Sequence, residues 1–167
     1  MPKIIIFPFR SYIQSPIGIL EIQATQHHIH SVRFLDKTQS FKQSVDNPLS
    51  KLCVAQLQEY FAGKRKDFSI PTQQDGTDFM QEVWENVSDI PFGKTASYLD
   101  LAKLAGDEKL TRAVGTANGK NQLAILVPCH RVIGSSGKLT GYAWGLSRKQ
   151  WLLDHEAKVN NTYAKLF

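Results

Sequence analysis

Leu123-Ala124-Ile125-Leu126-Val127-Pro128-Cys129-His130-Arg131 is the stretch on which the reading of this chain turns. Five consecutive apolar residues, bounded by a proline, read as a buried extended run. What the run delivers is a thiol, an imidazole and a guanidinium in succession. A cysteine with cationic neighbours at a helix start is expected to be a thiolate of low pKa, and the thiolate is the nucleophilic form. The second cysteine, Cys53, falls inside an amphipathic helical pattern and reads as packing. Two distant cysteines make no disulfide framework and are too few for a cysteine-rich zinc site.

Outward toward the N-terminus the pattern is helical. Ser97 is placed to cap a short helix through Leu101 and Leu104 that closes at Gly106. Asp107 is placed to cap a second, from Lys109 to about Ala117. Two short helices joined by a tight Gly-Asp turn predict a helix-turn-helix. The second helix carries Arg112, Ala113, Gly115 and Thr116, mostly small side chains that permit close backbone approach to a partner. Further upstream, Asp78 is read as the cap of a helix bearing Phe79, Val83, Trp84 and Val87, with a turn at Ile90-Pro91-Phe92-Gly93-Lys94. On the other side of Cys129, a Gly-rich stretch (Gly134-Ser135-Ser136-Gly137) precedes a last helix, with Ser147 and Gln150 as a capping box and Trp151, Leu152 and Leu153 following.

The first third reads differently. Phe9–Gln14, Ile19–Thr25 and His30–Leu35 alternate as strands, with turn chemistry at Ser15-Pro16-Ile17-Gly18. Asn47-Pro48 starts a helix that Gly63 stops, and Phe68–Ile70 is one more strand candidate. Thr72–Thr77, polar and without an apolar residue, is the predicted linker, so the chain divides into residues 1–75 and 78–167. His27, His28 and His30 look like a metal cluster, but between two predicted strands they read as a polar turn, and no metal is assigned.

The chain has 167 residues, 42% hydrophobic and 21% charged, with a net charge of +5. This is ordinary globular composition. No apolar run spans a membrane. The segment Met1–Arg10 has too short an apolar stretch for a secretory signal, so the expectation is a soluble, cytoplasmic protein. The charge is unevenly placed. Between Glu108 and Asp154 there are seven Lys and Arg residues and no acidic one: Lys109, Arg112, Lys120, Arg131, Lys138, Arg148 and Lys149. A basic block around the candidate nucleophile, Arg131 included, reads as a phosphate-backbone footprint.

From Phe79 to Glu156 the chain resembles the methylated-DNA–protein cysteine methyltransferases, or O6-alkylguanine-DNA alkyltransferases. The resemblance is carried by Ile125–Ile133, Arg112-Ala113-Val114-Gly115, Asn121, Gly141-Tyr142 and Trp151–Glu156 in order and spacing, and more loosely by Ser15-Pro16-Ile17-Gly18. It implies an α+β fold: a ribonuclease-H-like antiparallel sheet plus helix first, then a winged-helix-like helical domain with the helix-turn-helix. It also implies irreversible transfer of an alkyl group, mainly methyl, from O6-alkylguanine and O4-alkylthymine in double-stranded DNA to Cys129. That transfer occurs once per molecule, without a cofactor, by a monomer. Carried over by residue, His130 takes the thiol proton through a water, Glu156 orients His130, and Asn121 fixes the turn between recognition helix and active-site run. Arg112 fills the space left by the flipped base. Tyr98 contacts the flipped nucleotide, while Val132 and Cys129 offer carbonyls to its exocyclic amine. Tyr142, Ala143 and Ser135 line the pocket. Trp144, where some relatives have glycine, should narrow its alkyl side. Three competing readings are a non-catalytic binder of alkylated DNA, a helix-turn-helix regulator and a cysteine hydrolase. The first would lack the cysteine, the second would not need Cys129, His130, Asn121 and Glu156 together, and the third would turn over without DNA.

Overall fold

A computed structural model describes residues 7–36 and 42–165, excepting the side chains from 162 onward. The beginning of the segment weighed against a secretory signal, through Ile6, lies outside the described residues. The chain divides into two units, Met1–Gln74 and Asp75–Phe167.

In the first unit, period-2 alternation places Ile13, Leu20, Ile22, Val32 and Phe34 on buried positions of an antiparallel sheet. Its strands are β1 (Phe9–Ser15), β2 (Gly18–Ala24) and β3 (Ile29–Phe34), in the order β1-β2-β3. Tyr12 faces Glu21, and Leu20 faces Phe34. Helix α1 (Pro48–Phe61) packs on this sheet through Cys53, Leu57 and Tyr60. It starts at a reciprocal cap: the Ser50 amide donates to Asn47 Oδ1 at 2.8 Å, and the Asn47 amide donates to Ser50 Oγ at 2.9 Å. The expected strand at Phe68–Ile70 is absent. Gln56 of α1 takes the Ser69 amide on its Oε1 (3.1 Å) and gives its own N–H to Ser69 Oγ (3.0 Å), so that backbone is satisfied by a side chain rather than a ladder. The extended pairing comes later, where Thr72 bridges Ile29 inside the predicted linker.

The second unit is mainly helical: α2 (Asp78–Ser88), α3 (Tyr98–Leu104), α4 (Thr111–Gly119) and α5 (Leu146–Lys165), with short strands β4 (Ala96–Ser97) and β5 (Val132–Ile133) paired in parallel. Thr77 caps α2, not Asp78, which is the first helical residue. Trp84 of α2 donates its indole N–H to the Ala117 carbonyl at 2.9 Å, tying α2 to α4. Ser97 and Asp100 form a capping box at α3. Asp107 caps only a single 3-10 turn, Glu108–Leu110, and α4 begins after it at Thr111. Gly106, at φ 112°, makes the sharp reversal between α3 and that turn. At α5 the helix already begins at Leu146, so Ser147 lies inside it and is not its cap, and the Gln150 side chain donates to Asp154 at 2.8 Å.

Candidate active site

The run ahead of Cys129 is buried as expected but is not extended. Leu123, Ala124 and Ile125 are nearly inaccessible. Yet the Val127 amide folds back to the Leu123 carbonyl at 2.9 Å, and the Leu126 amide to Ala124 at 2.8 Å. Asn121 closes this tight loop. Its Nδ2 donates to the carbonyls of Val127 (3.0 Å) and Leu123 (3.3 Å), and its Oδ1 accepts from the Leu123 amide (3.1 Å). Ile125 sits at φ 71°, a left-handed conformation that is strained for a β-branched residue. The loop ends in a 3-10 turn, Cys129–Arg131, which leads directly into β5.

Cys129 is not a resting thiolate. Burial pushes its thiol up to about 11, against a smaller downward pull from the Asn121 side chain and the Lys149 charge. The expectation of a low pKa rested on neighbours in sequence. In the fold, desolvation outweighs them.

His130, wholly buried, places Nε2 at 2.6 Å from Glu156 Oε2. Glu156 is held well below the usual carboxylate range by His130 and Arg131, which overcome the opposing effect of burial. It is therefore an acceptor only, and Nε2 carries the hydrogen. Burial lowers the His130 pKa, so the ring is neutral at pH 7 and its Nδ1 holds a lone pair. Nδ1 is buried and has no hydrogen-bond partner among the described residues.

Arg131 was expected on DNA. It points inward instead: Nε donates to Glu156 Oε1 (2.8 Å), one terminal nitrogen to Glu156 Oε2 (3.1 Å) and the other to the Ile90 carbonyl (2.6 Å). This fork is a bidentate charge-assisted pair. The Gly93 amide adds a further donor to Glu156 Oε1 at 3.0 Å. Gly93 lies at φ 77°, a left-handed conformation that favours glycine, and a Cβ there would push aside the Asn160 side chain, whose Nδ2 would stand 1.9 Å away. Lys149 is also buried, not at the surface. The basic block thus turns two of its seven cations inward, while Lys109, Arg112, Lys120 and Lys138 stay exposed.

Beside Cys129 lies a cavity of about 110 Å³, bounded by Tyr98, Gly115, Asn118, Gly119, Gly141, Tyr142 and Ala143. Tyr98 donates its hydroxyl to the Thr140 carbonyl at 3.0 Å. The Tyr142 hydroxyl is buried without a partner among the described residues. Arg112, Ala113 and Thr116 lie on the exposed face of α4, and Gly115 is half-buried at the cavity. Three expected pocket residues stand apart from the lining. Ser135 is in an exposed turn, because the short Gly134–Lys138 turn holds it outward. Trp144 packs edge-on against Tyr142. Val132 is buried in β5, and its carbonyl accepts from Lys149 Nζ at 2.6 Å. Asn118, which sequence reasoning missed, donates from Nδ2 to the Cys129 carbonyl at 3.2 Å. Lys149 was legible in principle: with Leu152 and Glu156 it falls at i, i+3 and i+7 on one face of α5.

This unit presents one buried nucleophile, backed by an imidazole–carboxylate pair, under a narrow pocket beside an exposed helix of small residues. That describes a protein that reacts through a single cysteine with something inserted from outside. Residues 78–158 match the family model described as "6-O-methylguanine DNA methyltransferase, DNA binding domain", and residues 9–74 match its "ribonuclease-like domain". A methylated-DNA–protein-cysteine methyltransferase of Mycolicibacterium paratuberculosis is 42% identical over 158 residues, covering 93% of this chain and 96% of that protein. The constitutive enzyme of that name from Bacillus subtilis is 45% identical over 152 residues, covering 86% and 92%. The crystal structure of Mycobacterium tuberculosis OGT in complex with DNA is similar at a TM-score of 0.81 and 43% identity, covering 89% of this chain and 92% of that one. The chain belongs to the methylated-DNA–protein-cysteine methyltransferase family.

Proposed function

We propose that this protein repairs DNA by direct reversal, taking the alkyl group of O6-alkylguanine, mainly methyl, and of O4-alkylthymine onto Cys129 once per molecule. The observation that carries the reading is the arrangement Cys129, His130 Nδ1 without a protein partner, and His130 Nε2 on the Glu156 carboxylate. A neutral imidazole with one nitrogen engaged by a carboxylate and the other free is the base-plus-orienter arrangement that nucleophile activation requires.

The alkylated atom lies inside the base stack, so the nucleotide must be extruded to meet a buried thiol, at a few kcal/mol of unstacking. Arg112, on the exposed face of α4, fills the gap in the duplex. Ala113, Gly115 and Thr116 let the helix backbone approach the minor groove, and exposed lysines hold phosphates. The flipped base enters between Tyr98, Tyr142 and Ala143. His130 Nδ1 takes the thiol proton through a bridging water, and Glu156 stabilises the resulting imidazolium. The sulfur attacks the alkyl carbon as the carbon–O6 bond breaks, and the electron pair leaves with guanine, which Tyr98 helps to protonate. A C–S bond forms, a C–O bond is lost, and a proton moves from sulfur to the base. No cofactor enters that balance. The thioether has no route back to a thiol, so one protein repairs one lesion. The protein acts as a monomer, in the cytoplasm.

The test is intact-mass and peptide mass spectrometry after incubation with an O6-methylguanine duplex. The expected result is one added methyl, on Cys129, in one-to-one stoichiometry. Catalytic release of product with unmodified protein would overturn the reading.

A further inference from the structure

Lys149 is a charged side chain with no exposed surface, and the reaction described above gives it no task. Its ammonium donates to three main-chain carbonyls: Val132 at 2.6 Å, Thr140 at 3.0 Å and Gly141 at 3.2 Å. All three of its N–H groups are matched. Nζ also lies 5.8 Å from the centroid of the Tyr98 ring. These acceptors are not arbitrary. Val132 follows the Cys129 turn, Gly141 begins one wall of the cavity, and Thr140 also receives the Tyr98 hydroxyl.

Desolvating an ammonium costs several kcal/mol, and a well-packed apolar side chain avoids that cost. An apolar side chain here would in turn leave the Val132, Thr140 and Gly141 carbonyls without this donor, a need that an uncharged N–H donor could meet in part. Beyond the hydrogen bonds, the ammonium adds a positive field. Burial takes the Lys149 ammonium down to about 8, against an opposing upward pull from Cys129, and Lys149 in turn lowers the Cys129 pKa. The remaining groups around the thiol do not supply this field. Tyr98 from α3 and Tyr142 from the opposite wall are neutral, with pKa values raised by burial. Asn121 is an uncharged amide. The neutral His130 ring faces Glu156, whose anion is engaged by Arg131. Lys149, by contrast, has no carboxylate partner among the described residues.

We propose that Lys149 is a positioning residue for the alkyl transfer: its ammonium fixes the cavity wall against β5 and supplies the positive charge that offsets the Cys129 thiolate as it forms. This inference rests on the function proposed above. The experiment is single-turnover methyl transfer from an O6-methylguanine duplex at a series of pH values, in a Cys53→Ser background. Lys149→Met keeps the chain length without charge, Lys149→Gln keeps an N–H donor without charge, and Lys149→Arg keeps the charge. Both neutral variants should react about tenfold or more slowly at neutral pH, with the midpoint of the pH profile moved upward by about one pH unit. Their affinity for lesion-free duplex should match the parent, and Lys149→Arg should hold the parent midpoint. A folded neutral variant that reacts at the parent rate, or one that slows equally at every pH with the midpoint unmoved, overturns the proposal. A parent protein that takes up no methyl would overturn the function itself, so the two failures are distinguishable.

Discussion

Cys53 and Cys129 are both buried thiols, one in each unit, and burial raises both. Around Cys53, in α1 against the sheet, desolvation acts alone and takes the thiol to about 12. Around Cys129 the same force is opposed by the Asn121 side chain and the Lys149 charge, and the thiol stands at about 11. The gap between the two thiols is slight. It is small beside the chemical difference, which is that Cys129 has a cavity on one side and an imidazole with a lone pair next to it in the chain. Depth of burial does not separate a reactive cysteine from an inert one. The polar groups that remain beside it do.

The largest test of that contrast removes each sulfur in turn. Cys129→Ser should abolish methyl uptake from duplex DNA, whereas Cys53→Ser should retain full one-to-one uptake at the parent rate. Loss of acceptor capacity in the Cys53 variant, read by intact mass, would break the comparison.

Next in size is Glu156→Gln. It removes the anion that orients His130 and leaves Arg131 buried without its charge partner. The transfer rate should fall on the order of 10²-fold, because a His130 without its orienting anion forfeits its general-base contribution. Stability should fall by roughly 3–5 kcal/mol, as when one member of a buried ion pair is deleted. The parent protein should also be acid-sensitive. Glu156 has a lowered folded pKa, so its contribution is present above the unfolded value near 4.3 and is lost as pH falls. His130 is likewise lowered, so protonation below about 6.5 favours unfolding. Denaturation midpoints should decline in the parent as pH falls below about 6.5, through His130, and below about pH 4 the decline should be shallower in Glu156→Gln, which has no carboxylate to protonate there; identical slopes below about pH 4 would contradict the pairing.

The smallest expected effect is at Trp144, which packs edge-on against Tyr142 beside the cavity. Trp144→Gly should label faster, by roughly tenfold, with a benzyl-type pseudosubstrate if about 1–3 kcal/mol of steric exclusion is relieved. Equal rates would refute the narrowing.

Much of this was legible in the residues. The three strands and α1 followed from alternation and from Asn47-Pro48 and Gly63, which are local signals. The helix-turn-helix followed from Ser97 and Gly106. What escaped depended on contacts between distant parts of the chain. The direction of Arg131 is set by a carboxylate 25 positions away and by the Ile90 carbonyl 41 positions away. The loop at Leu123–Val127 looked extended because its apolarity reports burial and not backbone path, while a single amide side chain, Asn121, bends it back. The rise of the Cys129 pKa was invisible for the same reason: neighbours in sequence carry charge, but desolvation belongs to the folded volume.

That raised thiol has a consequence for a molecule consumed by one reaction. Held above its usual range by burial, the sulfur rests mainly as the neutral thiol at neutral pH. Peroxides and stray electrophiles, which attack the anion, find almost none to attack. A reagent that can be used a single time is thus kept dormant by the same desolvation that makes it slow to ionise.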